Sequence, residues 1–246
     1  MCGRYTNTAG PEEINGRFGV RLPDARGTRR YNIAPTQEVL AIVARAGERV
    51  PQLMRWGLLP PWLLQARERG GRASRYSLIN ARVESALTSR TYGPLLADPA
   101  LRALQIADGW YEWLHAERRG APGQPFRFTV DDGAPFAFAA LSCTASSADG
   151  HERRSIALLT CASDGNAVAR SVHARMPVVL ADRALQEAWL DPALSGEEAL
   201  SLCATLPSER THAEAANPAV GSPRAPEGPE LLHAPSPAAD SDRRAL

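Results

Sequence analysis

The residues best suited to chemistry stand at the start of the chain. Cys2 follows Met1, and a methionine before a small residue is normally removed, so we expect the mature chain to begin with Cys2. An N-terminal cysteine carries an amine and a thiol on adjacent carbons, with ordinary pKa values of about 8 and about 8.5, so both are partly nucleophilic at neutral pH. An aldehyde would form an imine with the amine, and the thiol could then close a thiazolidine ring. The alternative is an incidental cysteine at a frayed terminus.

The chain contains no lysine, and all 28 of its basic residues are arginine. Enzymes that form Schiff bases usually do so through a lysine amine. The α-amino group is therefore the only amine that this chain offers for such chemistry.

Two further segments combine aromatic or polar residues with arginines. Trp56 and Trp62 flank the rigid turn Pro60–Pro61, and aromatic rings near arginines suit stacking on unpaired bases. We expect Trp56 to be core, which leaves Trp62 as the candidate for stacking. An apolar stretch ends in the polar pair Asn80 and Arg82. Such a pair at a strand end either faces a site or caps the helix that follows.

An acid and a histidine complete the candidates. Glu112 lies within the aromatic run Trp110–Trp113, and on a strand it would project beside Trp110, where apolar walls raise the pKa of a carboxyl group. The alternative is an edge-strand glutamate in water. His173 shares a face with Arg175 if that segment is extended, and a histidine is a natural proton donor near pH 7. A structural histidine is the alternative there.

Composition limits what these residues can belong to. A length of 246 residues with 44% hydrophobic residues suits one domain, or at most two small ones. A net charge of +1 excludes a bulk polycation, so any nucleic-acid binding must use a local patch. No apolar run is long enough to span a membrane or to act as a secretory signal, so we expect a cytoplasmic protein with no membrane partner. The three other cysteines show no metal-binding spacing, and we expect them to be small buried residues; they are Cys143, Cys161 and Cys203.

The order of elements predicts an α+β fold: a single domain with a curved, mostly antiparallel, barrel-like sheet and peripheral helices. The strand-like runs are Val39–Ala44, Gln105–Ala107, Phe126–Val130, Phe136–Leu141, Ile156–Thr160 and Pro177–Leu180. Helical periodicity covers Glu12–Phe18, Ala86–Arg90, Arg183–Leu190 and Gly196–Thr205. We expect a functional loop over Gln65–Tyr76, a short last strand over Glu230–Leu232, a domain spanning residues 2–232 and a disordered tail over 233–246.

Six blocks, taken together and in order, resemble the SRAP family, the SOS-response-associated peptidase-like proteins that process abasic sites in DNA. The blocks are Met1–Tyr5, Tyr31–Pro35, Trp56–Leu58, Ile79–Glu84, Ala107–Trp113 and His173–Pro177. The resemblance covers roughly residues 2–232. It implies capture of the ring-opened aldehyde of an abasic site in single-stranded DNA as a stable thiazolidine crosslink.

The resemblance also implies a role for each candidate residue. Cys2 would be the nucleophile, Asn80 would hold the sugar and the Cys2 backbone, Glu112 would position and deprotonate the amine, and His173 would protonate the sugar ring oxygen and assist reversal. The residues that would contact DNA are Arg4, Trp62, Arg82 and Arg175. Removal of Met1 by the protein itself would fit the family's peptidase name. We expect a monomer that uses no cofactor and no metal.

The chain departs from the family pattern at three places, none of them among the four proposed catalytic positions. Leu63 stands where a second aromatic residue is common, which predicts weaker base stacking. The segment Val220–Arg224 lacks a lysine often found there, and the spacing between Thr160 and His173 is long. Two other functions stay open from the residues alone: a non-covalent single-strand DNA-binding module, and a cysteine peptidase that acts on other proteins.

Overall fold

The strands of the protein form two β-sheets in a computed structural model that describes residues 2–70, 78–114 and 123–235. In chain order the strands are β1 (Arg4–Asn7), β2 (Arg30–Ile33), β3 (Glu38–Arg45), β4 (Glu48–Trp56), β5 (Asn80–Arg82), β6 (Arg102–Ala107), β7 (Gly109–Leu114), β8 (Gln124–Val130), β9 (Phe136–Ser146), β10 (Glu152–Ala162), β11 (Arg175–Pro177), β12 (Val179–Leu180) and β13 (Thr211–Ala215). The α-helices are short and peripheral: α1 (Pro11–Phe18), α2 (Pro61–Glu68), α3 (Val83–Ala86), α4 (Gly93–Ala97), α5 (Ala167–Arg170), α6 (Arg183–Leu190) and α7 (Gly196–Ser201).

Five strands close into a barrel. β3 pairs antiparallel with β4 and β6, β6 pairs antiparallel with β9, and β9 pairs antiparallel with β10. A parallel pairing of β10 with β4 completes the ring, and closure leaves these strands without free edges. The short strands β5 and β11 add to β10, while β12 adds to β9. β10 therefore supports two of the segments that carry candidate residues.

The second sheet is open and antiparallel, with the strand order β13-β8-β7-β1-β2. The chain passes from the barrel to this sheet at Asp108, between β6 and β7. Asp108 is buried, accepts hydrogen bonds from the hydroxyl groups of Thr6 and Thr8, and lies 3.7 Å from the guanidinium of Arg127. A Cβ atom at Gly109 would lie 2.8 Å from the carbonyl oxygen of Phe128, so the close approach of β7 to β8 requires glycine there.

Aromatic rings anchor the open sheet on the barrel. Tyr5 of β1 packs edge-on against Trp56 and Phe138, with ring centroids 5.3 and 5.7 Å apart. Trp110 of β7 stacks on Phe128 at 5.1 Å, and all five side chains are buried in one core. Such contacts contribute beyond the area they bury, and they fix the two strands that carry the N-terminus and Glu112.

The predicted α+β fold with a curved, mostly antiparallel, barrel-like sheet and peripheral helices is confirmed. Each strand-like run lies within an observed strand, except that Val178 divides Pro177–Leu180 between β11 and β12. The helix predicted over Arg183–Leu190 is α6, and Glu12–Phe18 lies within α1, whereas α7 ends at Ser201 rather than Thr205. Buried positions for the three internal cysteines are confirmed.

Two local predictions were wrong, and a third was wrong over part of its range. The helix expected over Ala86–Arg90 lies earlier, at α3, directly after β5. The loop expected over Gln65–Tyr76 begins inside α2, and residues 71–76 lie outside the described part of the chain. No strand forms over Glu230–Leu232: Glu230 and Leu231 belong to a 3-10 turn over Pro229–Leu231, and Leu232 follows it.

The C-terminal boundary stays a prediction. Residues 236–246 lie outside the described part of the chain. Within it, the Ala234 N–H donates to the carbonyl oxygen of Ala215 at the end of β13. None of the helices described is long and apolar enough to cross a membrane.

Candidate active site

Glu112 is a buried carboxylate on an interior strand of the open sheet. β7 lies between β1 and β8, and its side chains alternate: Trp110 packs in the main core, whereas Tyr111 and Trp113 pack in a second cluster. Glu112 shares the Trp110 face and is 3% exposed. The alternative of an edge-strand glutamate in water is therefore wrong. Burial raises the pKa of Glu112 to about 7. This carboxyl group can exchange a proton near neutral pH.

Cys2 is fully buried beside this carboxylate. It lies just before β1, whose antiparallel register with β7 sets Arg4 opposite Tyr111 and leads the N-terminal segment along Glu112. Burial raises the pKa of the Cys2 thiol well above its ordinary value, and the charge of Glu112 adds to the rise. The thiol is therefore protonated at neutral pH, unlike the partly ionised thiol expected from the sequence.

Asn80 contacts Cys2 from the barrel side. It begins β5, and its Nδ2 donates a hydrogen bond of 2.9 Å to the Cys2 carbonyl oxygen. Trp56 Nε1 donates to the carbonyl oxygen of Ile79, and the Tyr92 hydroxyl donates to that of Asn80, each at 3.0 Å. Asn80 Oδ1 is buried and has no hydrogen-bond partner among the residues described. The backbone is thus fixed while one buried acceptor stays available for a hydroxyl or amine of a ligand.

His173 lies between α5 and β11 and is half-buried. Its backbone N–H donates to Ala169 O at 2.9 Å, and its carbonyl oxygen accepts from Ser163 Oγ at 2.7 Å. The ring Nδ1 lies 3.0 Å from both the backbone nitrogen and the carbonyl oxygen of Arg175. One of these groups donates and the other accepts, so Nδ1 has a partner whether or not it carries a proton. That arrangement suits a group that changes protonation state.

The four proposed DNA-contacting residues differ in their surroundings. Arg82 is exposed, and it precedes α3 without a side-chain capping bond, so the capping interpretation of this segment is wrong. Trp62 is 49% exposed on α2, while the neighbouring Leu63 is fully buried in the core. Arg4 donates hydrogen bonds to Asn32 Oδ1 and to the carbonyl oxygen of Gly221, each at 3.1 Å. Burial lowers the pKa of Arg4.

Arg175 is held by an acidic partner. Its two terminal nitrogens donate to the two carboxylate oxygens of Glu84 at 2.9 and 3.0 Å. Nη2 also donates to the carbonyl oxygen of Thr160 at 2.6 Å and to its Oγ1 at 3.1 Å. The guanidinium therefore has carboxylate and backbone partners already in place.

Sequence reasoning missed three residues that support the site: Tyr92, Thr160 and Glu84. Tyr92 and Thr160 gave no local signal, because each acts on a backbone carbonyl or side chain distant in sequence. Glu84 lies at the end of the block Ile79–Glu84, but nothing in that block indicated its pairing with Arg175, 91 residues away. Within residues 2–70, 78–114 and 123–235, no group of three or more potential metal ligands occurs.

Comparisons with known proteins bear on the family and the fold of the chain. A family model described as SOS response associated peptidase (SRAP) matches residues 1–223. The chain is 31% identical over 239 residues to abasic site processing protein YedK of Escherichia coli (strain K12), covering 94% of this chain and 99% of the relative. It is 32% identical over 195 residues to abasic site processing protein YoaM of Bacillus subtilis (strain 168), covering 78% and 80%. A crystal structure of a Bacteroides thetaiotaomicron protein covers 96% of the chain with a TM-score of 0.80 at 20% identity, a likeness of fold alone.

Proposed function

The chain belongs to the SOS response associated peptidase (SRAP) family, and we propose from this premise that it acts in DNA repair by processing abasic sites. In finer detail, we propose that Cys2, once Met1 has been removed, captures the aldehyde of an abasic site in single-stranded DNA. The product would be a thiazolidine crosslink between protein and DNA. The protein would act as a monomer.

One observation carries the proposal: Cys2 is held between the partly buried amide of Asn80 and the buried carboxyl group of Glu112. Asn80 binds the Cys2 carbonyl oxygen at 2.9 Å, and the Glu112 carboxyl group with a pKa of about 7 lies close enough for its charge to act on the thiol. A base with that pKa can take a proton from an α-ammonium group whose ordinary pKa is about 8. The chain has no lysine to compete for the aldehyde.

The raised thiol pKa sets the order of the steps. The amine nitrogen, deprotonated by Glu112, attacks the aldehyde carbon, and loss of water gives an imine. The neutral thiol of Cys2 then adds its sulfur to the imine carbon, and its proton ends on the ring nitrogen. Atoms balance with release of one water, and no oxidant or cofactor is required.

His173 supplies the acid that this chemistry needs. An abasic sugar exists mainly as a closed ring, and protonation of the ring oxygen favours the open aldehyde. The Nδ1 of His173 has partners in both protonation states, which supports a proton-transfer role in crosslink formation and in its reversal. Exposed Arg82 and Trp62 would contact a phosphate and a base, respectively.

The same observations weigh against the two alternatives. A cysteine peptidase that acts on other proteins needs a thiolate, which forms where the thiol pKa is lowered, whereas burial raises the pKa of Cys2. Self-removal of Met1 would involve no separate substrate pocket and is compatible with the proposal. A non-covalent binding module would need neither a buried Glu112 nor a terminal cysteine.

A denaturing gel separates these functions. Labelled single-stranded DNA with one abasic site is incubated with wild-type protein and with Cys2→Ala, and undamaged DNA serves as the control. We expect a shifted band that survives denaturant only for wild type with abasic DNA. Binding on a native gel without that band would support the non-covalent module, and cleavage of an unrelated protein by wild type but not by Cys2→Ala would support the peptidase.

A further inference from the structure

One ion pair connects the segments that carry Asn80 and His173. The Nη1 and Nη2 atoms of Arg175 donate to Oε1 and Oε2 of Glu84 at 2.9 and 3.0 Å, and Nη2 also reaches Thr160 on β10 between them. A bidentate arginine–carboxylate pair fixes orientation as well as distance. The contact therefore ties the two segments to each other and to the barrel.

Each end of the pair is rigidly joined to a candidate residue. Glu84 lies in α3, which follows β5 and its first residue Asn80 without a break. At the other end, the backbone of Arg175 lies 3.0 Å from Nδ1 of His173. Loss of the ion pair would therefore change the positions of both Asn80 and His173.

Affinity for DNA does not explain Glu84. Its side chain is 52% exposed, close to the arginines proposed to meet phosphates, and its hydrogen bonds with Arg175 lower its pKa, so it is ionised at neutral pH. A carboxylate there repels phosphate. Arg175 is only 16% exposed and has hydrogen bonds with Thr160 as well, so the pair is better suited to holding geometry than to binding DNA.

We propose that Glu84 is a positioning residue for crosslinking: through Arg175 it sets the separation between Asn80, which holds Cys2, and His173, which acts on the sugar. This inference rests on the proposed function. It gives Arg175 a geometric role in addition to any contact of its charge with phosphate.

Two variants separate geometry from charge. Glu84→Gln keeps the size of the side chain but removes the ionic pair. Arg175→Lys keeps the positive charge but loses the planar fork that bridges a carboxylate. Glu187→Gln is the matched control, because Glu187 is 55% exposed and pairs with Arg183 on α6.

We expect the single-turnover crosslinking rate at saturating abasic DNA to fall at least about tenfold in Glu84→Gln and in Arg175→Lys, since small misplacements of reacting groups cost up to about 100-fold. The double variant should be no slower than the slower single variant. Affinity of Glu84→Gln for undamaged single strands should be equal to wild type or higher, and Arg175→Lys should keep the wild-type salt dependence. Glu187→Gln should match wild type throughout.

A wild-type rate in either site variant, or a loss of affinity equal to the loss of rate, would overturn the positioning role. Hydrogen exchange supplies a readout that does not depend on chemistry: residues 80–86 and 171–177 should exchange faster in Glu84→Gln, and the control should not change. Unchanged exchange there would overturn the inference even in a protein that crosslinks. A wild type that forms no crosslink would contradict the proposed function, while exchange would still decide whether Glu84 holds the two segments together.

Discussion

The candidate site is built from two halves that differ in burial and in the sheet that supplies them. Cys2, just before β1 of the open sheet, and Glu112, on its strand β7, are almost completely buried. Arg82 and His173 come from segments added to the barrel strand β10 and are at least partly exposed. Asn80 joins the halves through its hydrogen bond to the Cys2 carbonyl oxygen.

The difference separates two physical tasks. Burial raises the pKa of Glu112 to about 7 and keeps the Cys2 thiol protonated, which suits proton transfer and covalent capture. Arg82 is exposed, and an accessible guanidinium group suits phosphate contact. In our account, the buried half governs the rate of crosslinking and the exposed half governs affinity for DNA.

The largest effect should come from blocking the buried amine. Insertion of one alanine between Met1 and Cys2 leaves the Cys2 nitrogen in a peptide bond, which is not nucleophilic, so we expect no thiazolidine crosslink. Affinity for undamaged single strands should stay near wild type, because the exposed half is unchanged. A normal crosslink yield on a denaturing gel from this variant would rule out the α-amine as the nucleophile.

Glu112→Gln should slow capture by about 10²–10⁴-fold, the usual contribution of general acid–base catalysis. With a Glu112 pKa of about 7 and an ordinary amine pKa of about 8, the defect should be largest between about pH 7 and pH 8. It should narrow toward pH 9, where the amine loses its proton unaided. Single-turnover rates across this range test the prediction, and a defect that is constant with pH, or that is matched by lost affinity, would indicate a structural role.

The same substitution should stabilise the fold in a pH-dependent way. The pKa of Glu112 is higher in the folded state than the ordinary value of 4.5, so the folded state binds the proton more tightly, and stability is lost as pH rises from about 4.5 through 7. Glu112→Gln should therefore be more stable than wild type by about 3 kcal/mol at pH 8 and nearly equal to it at pH 4. Urea unfolding at both values measures this, with exposed Glu214→Gln as the control. Equal stability at pH 8 would mean that the carboxylate is not buried as described.

The smallest effect should come from the exposed half. Arg82→Ala should reduce the salt slope for single-strand binding by about 0.7, the contribution of one phosphate contact, and affinity should fall alike across sequences. Arg45→Ala, at an exposed position before the β3–β4 turn, should leave the slope unchanged. If Arg82→Ala behaves like Arg45→Ala in a salt titration, the exposed half does not include this contact.

Local sequence patterns predicted where Glu112 lies, but they did not predict the pKa of the Cys2 thiol or the contacts between distant segments. Alternation around Glu112 correctly indicated a carboxyl group beside Trp110, because a strand has a fixed period of two residues. The raised pKa of the Cys2 thiol could not be predicted, since it depends on how deeply Cys2 is buried in the folded protein. Pairing of Glu84 with Arg175 was equally invisible, because it follows from β5 and β11 flanking the same strand.

The ends of helices and strands were also predicted poorly from the sequence. Ala86–Arg90 has helical periodicity, yet the helix ends at Ala86, and the tight connection from β5 decides where it starts. The closed barrel could not be deduced from single strands either, because the parallel pairing of β4 with β10 joins residues about 100 positions apart. The order and type of most helices and strands could be predicted from the sequence, whereas the pairing between distant strands could not.

The central claim is that both nucleophiles of Cys2 bond to the sugar carbon, and the mass of the crosslinked peptide tests it most directly. Wild-type protein is crosslinked to abasic single-stranded DNA, treated with or without borohydride, digested and analysed by mass spectrometry. We predict that the adduct maps to the peptide that begins at Cys2 and that borohydride does not change its mass, because a thiazolidine has no imine bond to reduce. An adduct on another residue, or one that gains two hydrogen atoms on reduction, would contradict the account.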